Sequence, residues 1–218
     1  MIILEFNNVF YVREGKEIIK NFSLKVEQGD FISIMGSSGS GKSTFLKLCC
    51  HLISPTEGKI IFQGKDMLEY DPRSLRKSIS YCFQIPHLFG DTVEDNLVFP
   101  YAIRDMVMDK LRVHELLEKF NLDNEILKEE IKNLSGGEKQ RIALIRTLLF
   151  KPEIILLDEV TSSLDVDNTR IVESAVNSLN KEGTTVLWIT HSPEQGRKYA
   201  NKLLTIENGG IKSLEVLR

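Results

Sequence analysis

Two stretches of this chain carry groups suited to holding and cleaving a triphosphate. The first is Gly36-Ser37-Ser38-Gly39-Ser40-Gly41-Lys42-Ser43, which has the G-x-x-x-x-G-K-[ST] spacing. Glycines admit positive φ and let a ligand approach the backbone. Successive N–H groups and a following helix N-terminus then face an anion. Lys42 puts a positive charge beside the β- and γ-phosphates, the Ser43 hydroxyl is a ligand for Mg2+, and Thr44 carries the run into the helix. This motif alone defines only a site for a nucleoside triphosphate. The second stretch is Ile154-Ile155-Leu156-Leu157-Asp158-Glu159. Its apolar run delivers two carboxylates at the C-terminal end of a strand, where ligands bind in open α/β sheets. Asp158 is expected to hold Mg2+ through water, and Glu159 to polarise the water that attacks the γ-phosphate. Acids often mark nothing more than a strand's exit to solvent; beside a phosphate loop the pair reads as chemistry.

A third stretch, Leu134-Ser135-Gly136-Gly137-Glu138-Lys139-Gln140-Arg141, supplies a second anion site. Ser135-x-x-Glu138 is a capping box that starts a helix through about Leu149. A capped helix needs no further role. Gly136 and Gly137, however, weaken a first turn unless something must come close to its backbone. A helix N-terminus with bare N–H groups, a hydroxyl and no bulky side chain is built for an anion. Two such cradles in one chain imply a triphosphate held from two sides.

The elements that must position these groups follow from the pattern of apolar residues and turn signals. Phe31 to Met35 reads as the strand entering the phosphate loop, and Lys42 to His51 as the helix leaving it. The first third otherwise alternates apolar and polar residues between turns such as Glu27-Gln28-Gly29-Asp30 and Ser54-Pro55-Thr56-Glu57-Gly58, which predicts a β-rich lobe. Thr92-x-x-Asp95 reads as a helix start, and Met106 to Phe120 has helical spacing, so 92–133 is expected to be a helical insertion. Ile154 to Leu157 and Thr184 to Ile189 are continuous apolar runs, as in parallel strands buried on both faces. Between them a helix is expected near Asp167 to Asn180, ended by Gly183. Ser192-Pro193-Glu194-Gln195 is a helix start, and Gly209-Gly210 suits a tight hairpin.

Composition narrows the alternatives. The chain has 218 residues and a formal net charge of −3. It offers no broad basic field, so nucleic acid is not an expected partner. No stretch approaches the roughly 18 consecutive apolar residues of a membrane span. Met1 to Phe6 reads as a first strand and not as a signal peptide, so membrane association is expected to come through a partner. The three cysteines, Cys49, Cys50 and Cys82, form no Cys-x-x-Cys pair with a His cluster and read as small apolar residues.

The phosphate loop and the Ser-Gly-Gly run together resemble the ATP-binding subunits of ABC transporters, and the resemblance covers essentially the whole chain. Other family elements match in order. Tyr11 lies where the family stacks an aromatic on adenine. Gln84, ending Tyr81-Cys82-Phe83-Gln84, matches the glutamine that contacts Mg2+ and senses the transporter. Ser162-Ser163-Leu164-Asp165 matches the loop that crosses the dimer interface, and His191, in Trp188-Ile189-Thr190-His191, the histidine that contacts the γ-phosphate. Val160 stands where the family usually has Pro, and Ser163 where Ala is common, which leaves the geometry of that loop open.

The resemblance implies an α/β fold: a P-loop NTPase core of ABC-ATPase type, with an N-terminal antiparallel β subdomain and an inserted α-helical subdomain. It implies one domain over 1–218, with 1–84 and 151–218 forming the core and about 85–150 the helical part that carries Ser135. It implies ATP and Mg2+ as the bound groups and a second copy as partner, so that Ser135, Gly136 and Gly137 of one copy close on the ATP of the other. It also implies an integral membrane permease docking near Gln84, and a peripheral location on the cytoplasmic face of the bacterial inner membrane. Within the family, the run from Tyr81 to Leu97 looks like the ATPase of small two-component bacterial exporters proposed to export iron and protect against peroxide. An ATPase of another small-solute transporter is the alternative. A soluble family member acting on DNA or ribosomes is a weaker one, since the chain has a single ATPase unit and no basic bias. A single-site P-loop kinase fails on the Ser-Gly-Gly run and His191.

Overall fold

The computed structural model describes residues 1–217. Strands β1 (Ile2–Arg13) and β2 (Lys16–Glu27) are followed by β3 (Phe31–Met35) and helix α1 (Lys42–Cys49). Next come β4 (Glu57–Phe62), β5 (Lys65–Asp66), α2 (Pro72–Ser78) and β6 (Ile79–Cys82). Helices α3 (Val93–Ala102), α4 (Lys110–Lys119) and α5 (Gly136–Leu148) make up the central third. The last third is β7 (Ile154–Asp158), α6 (Val166–Lys181), β8 (Thr185–Ile189), α7 (Pro193–Lys198), β9 (Lys202–Glu207) and β10 (Gly210–Val216).

Contacts divide the chain into two units. The first comprises Met1–Tyr81, Pro152–Glu159 and the chain from Leu179 onward. It holds two sheets: β2-β1-β4-β5, with antiparallel pairing throughout, and a six-stranded sheet ordered β10-β9-β3-β8-β7-β6. Within the larger sheet β3 pairs in parallel with both β8 and β9, and β7 with β8. Every residue of β7 and β8 is buried, which is why both read as unbroken apolar runs. One core joins the sheets: Phe6 and Phe22 from the antiparallel lobe meet Phe45 of α1 at centroid distances of 5.1 and 4.8 Å, and Leu156 and Ile189 belong to the same cluster. The β9–β10 hairpin turns on Asn208 and Gly209, both at positive φ (51° and 81°), while Gly210 already begins β10.

The second unit comprises Cys82–Lys151 and Val160–Ser178. Helices α3 and α4 pack on α5 through Leu97, Val113, Leu116 and Ile142, each fully buried. Three arginines tie the packing to backbone carbonyls, two of them at helix ends. Arg112 donates to the Leu148 carbonyl at the end of α5 at 3.1 Å, and Arg141 to Phe120 and Asn121 past the end of α4 at 3.1 and 3.2 Å. Arg146 reaches the His87 carbonyl and Asn96 Oδ1. A cation that satisfies terminal carbonyls suits a helix C-terminus.

Two expectations are amended. Residues 106–109 are not helical: α4 begins at Lys110 with Asp109 as its cap, and Val107 is 91% exposed. Met106 and Val107 are exposed, so their spacing carries no amphipathic meaning. Residues 160–178, expected with the core, group by contacts with the helical unit. Close approach explains this grouping, since the Asn168 side chain lies where a β-carbon on Gly137 would stand, 2.9 Å away.

Candidate active site

The first unit collects the phosphate loop, the acid pair, His191 and Tyr11. The loop joins β3 to α1 because its glycines take conformations other residues resist. Gly36 sits at φ 148°, and a β-carbon there would stand 2.2 Å from the Ile206 carbonyl oxygen. Gly39 has φ 75° and Gly41 φ 104°. Gly41 caps α1 without a side-chain acceptor, so the first-turn N–H groups of α1 stay available to an anion. Lys42 is buried and donates from Nζ to the carbonyls of Gly36 and Ser37, both at 2.9 Å. Ser37, Ser38 and Gly39 are exposed at the loop's crest, and Ser43 and Thr44 are half-buried on the helix. Ser40 is buried; its carbonyl accepts from Gly209 N–H at 3.1 Å, which anchors the loop to the β9–β10 turn.

At the end of β7, Asp158 is buried and accepts two hydrogen bonds. Ser43 Oγ donates to Oδ1 at 3.0 Å and the Tyr81 hydroxyl to Oδ2 at 2.5 Å. A hydroxyl and a carboxylate oxygen side by side form a hard oxygen donor set of the kind Mg2+ takes. Glu159 follows at φ 50°, left-handed for a residue with a side chain. Such strain persists where the surroundings over-determine it. Here it turns the carboxylate away from the strand, where Oε1 lies 2.7 Å from His191 Nε2. His191 is exposed, on the loop after β8. The loop is held by Thr190, whose hydroxyl donates to Gln195 Oε1 and accepts from Ser192 N–H. Tyr11 is half-buried on β1 at the margin of the aromatic core.

The second unit carries Gln84, Ser135 to Gly137 and Asp165. Gln84 is exposed just past β6. The capping box forms as the spacing predicts. Ser135 Oγ accepts from Glu138 N–H at 3.2 Å, while Glu138 Oε2 accepts from the Ser135 N–H at 2.8 Å and its hydroxyl at 2.7 Å. The Ser135 donors hold the Glu138 carboxyl below its ordinary range. A β-carbon on Gly136 would meet nothing within 4 Å. Asp165 accepts from Asn168 N–H and Nδ2 at 2.8 and 2.7 Å, and these bonds lower its pKa. Tyr81, named in the sequence only as the start of the run that ends in Gln84, and Asn168 both take structural roles that their sequence context does not signal. Tyr81 is visible there only as an aromatic at the end of a strand, and nothing local marks its hydroxyl as a partner for an acid 77 positions away.

A strained phosphate loop and an acid pair closing a buried strand in one unit, and a glycine-lined capping box in the other, are the features of an ATPase cassette. The model of the ABC transporter family matches residues 19–162, and the chain belongs to that family, as the ATP-binding and ATP-hydrolysing subunit of a transporter. The chain is 43% identical over 206 residues to the probable iron export ATP-binding protein FetA of Escherichia coli K12, spanning 94% of this chain and 91% of that one. ABC transporter I family member 17 of Arabidopsis thaliana is 36% identical, with 94% and 78% covered. Among solved structures, the ATP-binding cassette MJ0796, in a dimeric post-hydrolysis state bound to ADP and Pi, superposes with a TM-score of 0.88 over 99% of both chains at 30% identity.

Proposed function

We propose that this subunit powers the export of iron or another metal ion through a separate membrane permease, in a role linked to resistance to oxidative stress. The reading rests first on the 43% identity to a probable iron export ATPase across almost the full length of both chains. Cargo is chosen by the membrane subunit, and no side chain of this chain reads it. The permease is assigned to the surface around Gln84, where Phe83 and Ile85 are 48% and 65% exposed. Apolar groups left in water at this density mark a surface that a partner covers. No helix among the described residues is long and apolar enough to cross a membrane. As in other transporter ATPases, the chain works at the membrane through its permease, and we assign it to the cytoplasmic face of a bacterial inner membrane.

The working unit is a head-to-tail pair. Each ATP lies on the phosphate loop of one copy, under Lys42 and the loop N–H groups from Gly36 to Ser43 with Thr44 following, and Tyr11 stacks on its adenine. Ser135, Gly136 and Gly137 of the other copy close over it, with Asp165 at the crossing of the two chains. Ser43 and Asp158, with Gln84, are the residues assigned to Mg2+, which when bound offsets negative charge on the phosphates. Glu159 accepts a proton from the attacking water as its oxygen bonds to the γ-phosphorus and the bond to the ADP oxygen breaks. His191, which already meets Glu159 at 2.7 Å, contacts the γ-phosphate. Closure of the pair excludes other water and completes the site.

The assembly is tested by gel filtration of Glu159→Gln with and without ATP; a dimer that forms only with ATP is expected, and a protein that stays monomeric at saturating ATP overturns the pair. The cargo is tested by cellular iron content after deletion of this gene, with and without the permease gene. Raised iron in both deletions supports export, and unchanged iron with a defect in another solute favours a different small-solute transporter.

A further inference from the structure

We propose that Tyr81 is a positioning residue for Asp158 and that it sets the affinity of the nucleotide site for its divalent cation. The proposal rests on the assignment of Asp158 and Ser43 to that cation. Asp158 is 7% exposed and closes a strand whose residues are all buried, so each carboxylate oxygen needs a donor to offset the loss of water. Ser43 on α1 satisfies Oδ1, and Tyr81 on β6, the strand next to β7 in the sheet, satisfies Oδ2. The torsion that turns a carboxylate about its own axis is broad and soft when free. Two donors from separate elements, one on each oxygen, remove that freedom and fix the plane of the carboxylate. Both bonds are compatible with a bound cation. The Ser43 hydroxyl can give a lone pair to a metal while its O–H still donates to Asp158 Oδ1. The phenol takes one lone pair of Oδ2 and leaves the rest for the cation's water shell.

The identity of the donor matters. The Tyr81 hydroxyl is neutral, so it orients the carboxylate without cancelling the charge that attracts a cation, as a lysine or arginine there would. A hydroxyl that donates to a carboxylate makes a charge-assisted bond, stronger than one between neutral groups. Groups that hold a ligating carboxylate from behind typically govern metal affinity by about 10- to 100-fold.

The test is Tyr81→Phe, which keeps the ring and removes the hydroxyl, read by the loss of the free Mn2+ electron-resonance signal on titration into protein saturated with ADP. The Mn2+ dissociation constant is expected to rise about 10-fold, while ADP binding in EDTA stays at the wild-type value. An unchanged Mn2+ dissociation constant overturns the proposal. So does a Phe variant that loses ADP binding in EDTA, because Tyr81 is then holding the fold and not the acid. Ser43→Ala separates the two levels of argument: weaker Mn2+ binding in Ser43→Ala but not in Tyr81→Phe removes only the role of Tyr81, whereas unchanged binding in both removes the cation site itself.

Discussion

Two helix N-termini in this chain are lined with glycine, and they are built in opposite ways. At α1 the glycines are forced. Gly36, Gly39 and Gly41 all have positive φ, and the backbone of Ile206 occupies the space a side chain on Gly36 would need. The loop is shaped from within, with Lys42 tied to its own carbonyls. At α5 the glycines are ordinary helical residues. The cap is satisfied by Ser135 and Glu138, and open space faces Gly136. Nothing inside the chain demands glycine at 136. The proposed head-to-tail pair supplies a reason from outside, the phosphate of a facing copy. On that proposal the first cradle is complete in one chain, whereas the second receives its anion from a neighbour.

The largest effect expected is on turnover. Glu159→Gln keeps size and hydrogen bonding but cannot take a proton, and general-base catalysis contributes about 10²- to 10⁴-fold. ATP hydrolysis should fall by that amount while ATP binding is retained, as measured by phosphate release and nucleotide titration. A variant that hydrolyses at the wild-type rate moves the base elsewhere. Next comes Lys42→Ala. It removes a buried ammonium assigned to the phosphates, and charge-assisted bonds of about 1.5–3 kcal/mol correspond to about 10- to 100-fold in ATP affinity. Isothermal titration with unchanged affinity would break the assignment of the first cradle.

Much of this was legible before any coordinates, for a physical reason. The phosphate loop, the acid pair and the Ser135 box are each local: glycine conformation, strand exit and capping chemistry act within a few residues. The helix start at Thr92 is equally local, and its box with Asp95 forms as expected. Hidden features are those made by residues far apart. Tyr81 meets Asp158 only because two strands lie side by side, and Asn168 limits Gly137 only because the start of α6 approaches α5. Helix α2 is a different case. Asp71-Pro72 carries a cap and a first-turn proline, and the Asp71 side chain accepts from Ser74 N–H at 2.8 Å. The signal is local, but the helix has only seven residues, too few to show an apolar periodicity of its own.

The contrast between the cradles sharpens under alanine. Gly36→Ala places a methyl against a backbone carbonyl that cannot swing aside, in a φ region alanine avoids. The fold should lose about 1–3 kcal/mol, comparable to other strained backbone sites. Gly136→Ala goes the other way. Alanine is a better helix former than glycine by about 0.5–1 kcal/mol, and there is room for it, so the urea midpoint should rise. ATPase activity should nonetheless drop, because the methyl stands where the proposed pair brings the neighbour's phosphate. Both readings come from one purified variant by denaturation and phosphate release. A Gly136→Ala protein that is more stable and fully active would make the second cradle an ordinary helix cap.

The smallest effect concerns acid. The Ser135 hydroxyl and N–H hold the Glu138 carboxyl below its ordinary range. A carboxyl whose folded pKa is depressed adds stability that is complete above its unfolded pKa, about 4.3. That stability is lost as the pH falls through the lower folded value. The gain is a few tenths of a kcal/mol for a group this close to solvent. Glu138→Gln keeps an acceptor for the cap but has no charge to lose. Its urea midpoint should lie slightly below wild type at pH 6, and the two should converge toward pH 3. Parallel curves across that range would mean that the box is held by geometry alone and that its charge plays no part in keeping the N-terminus of α5 ready for a partner's anion.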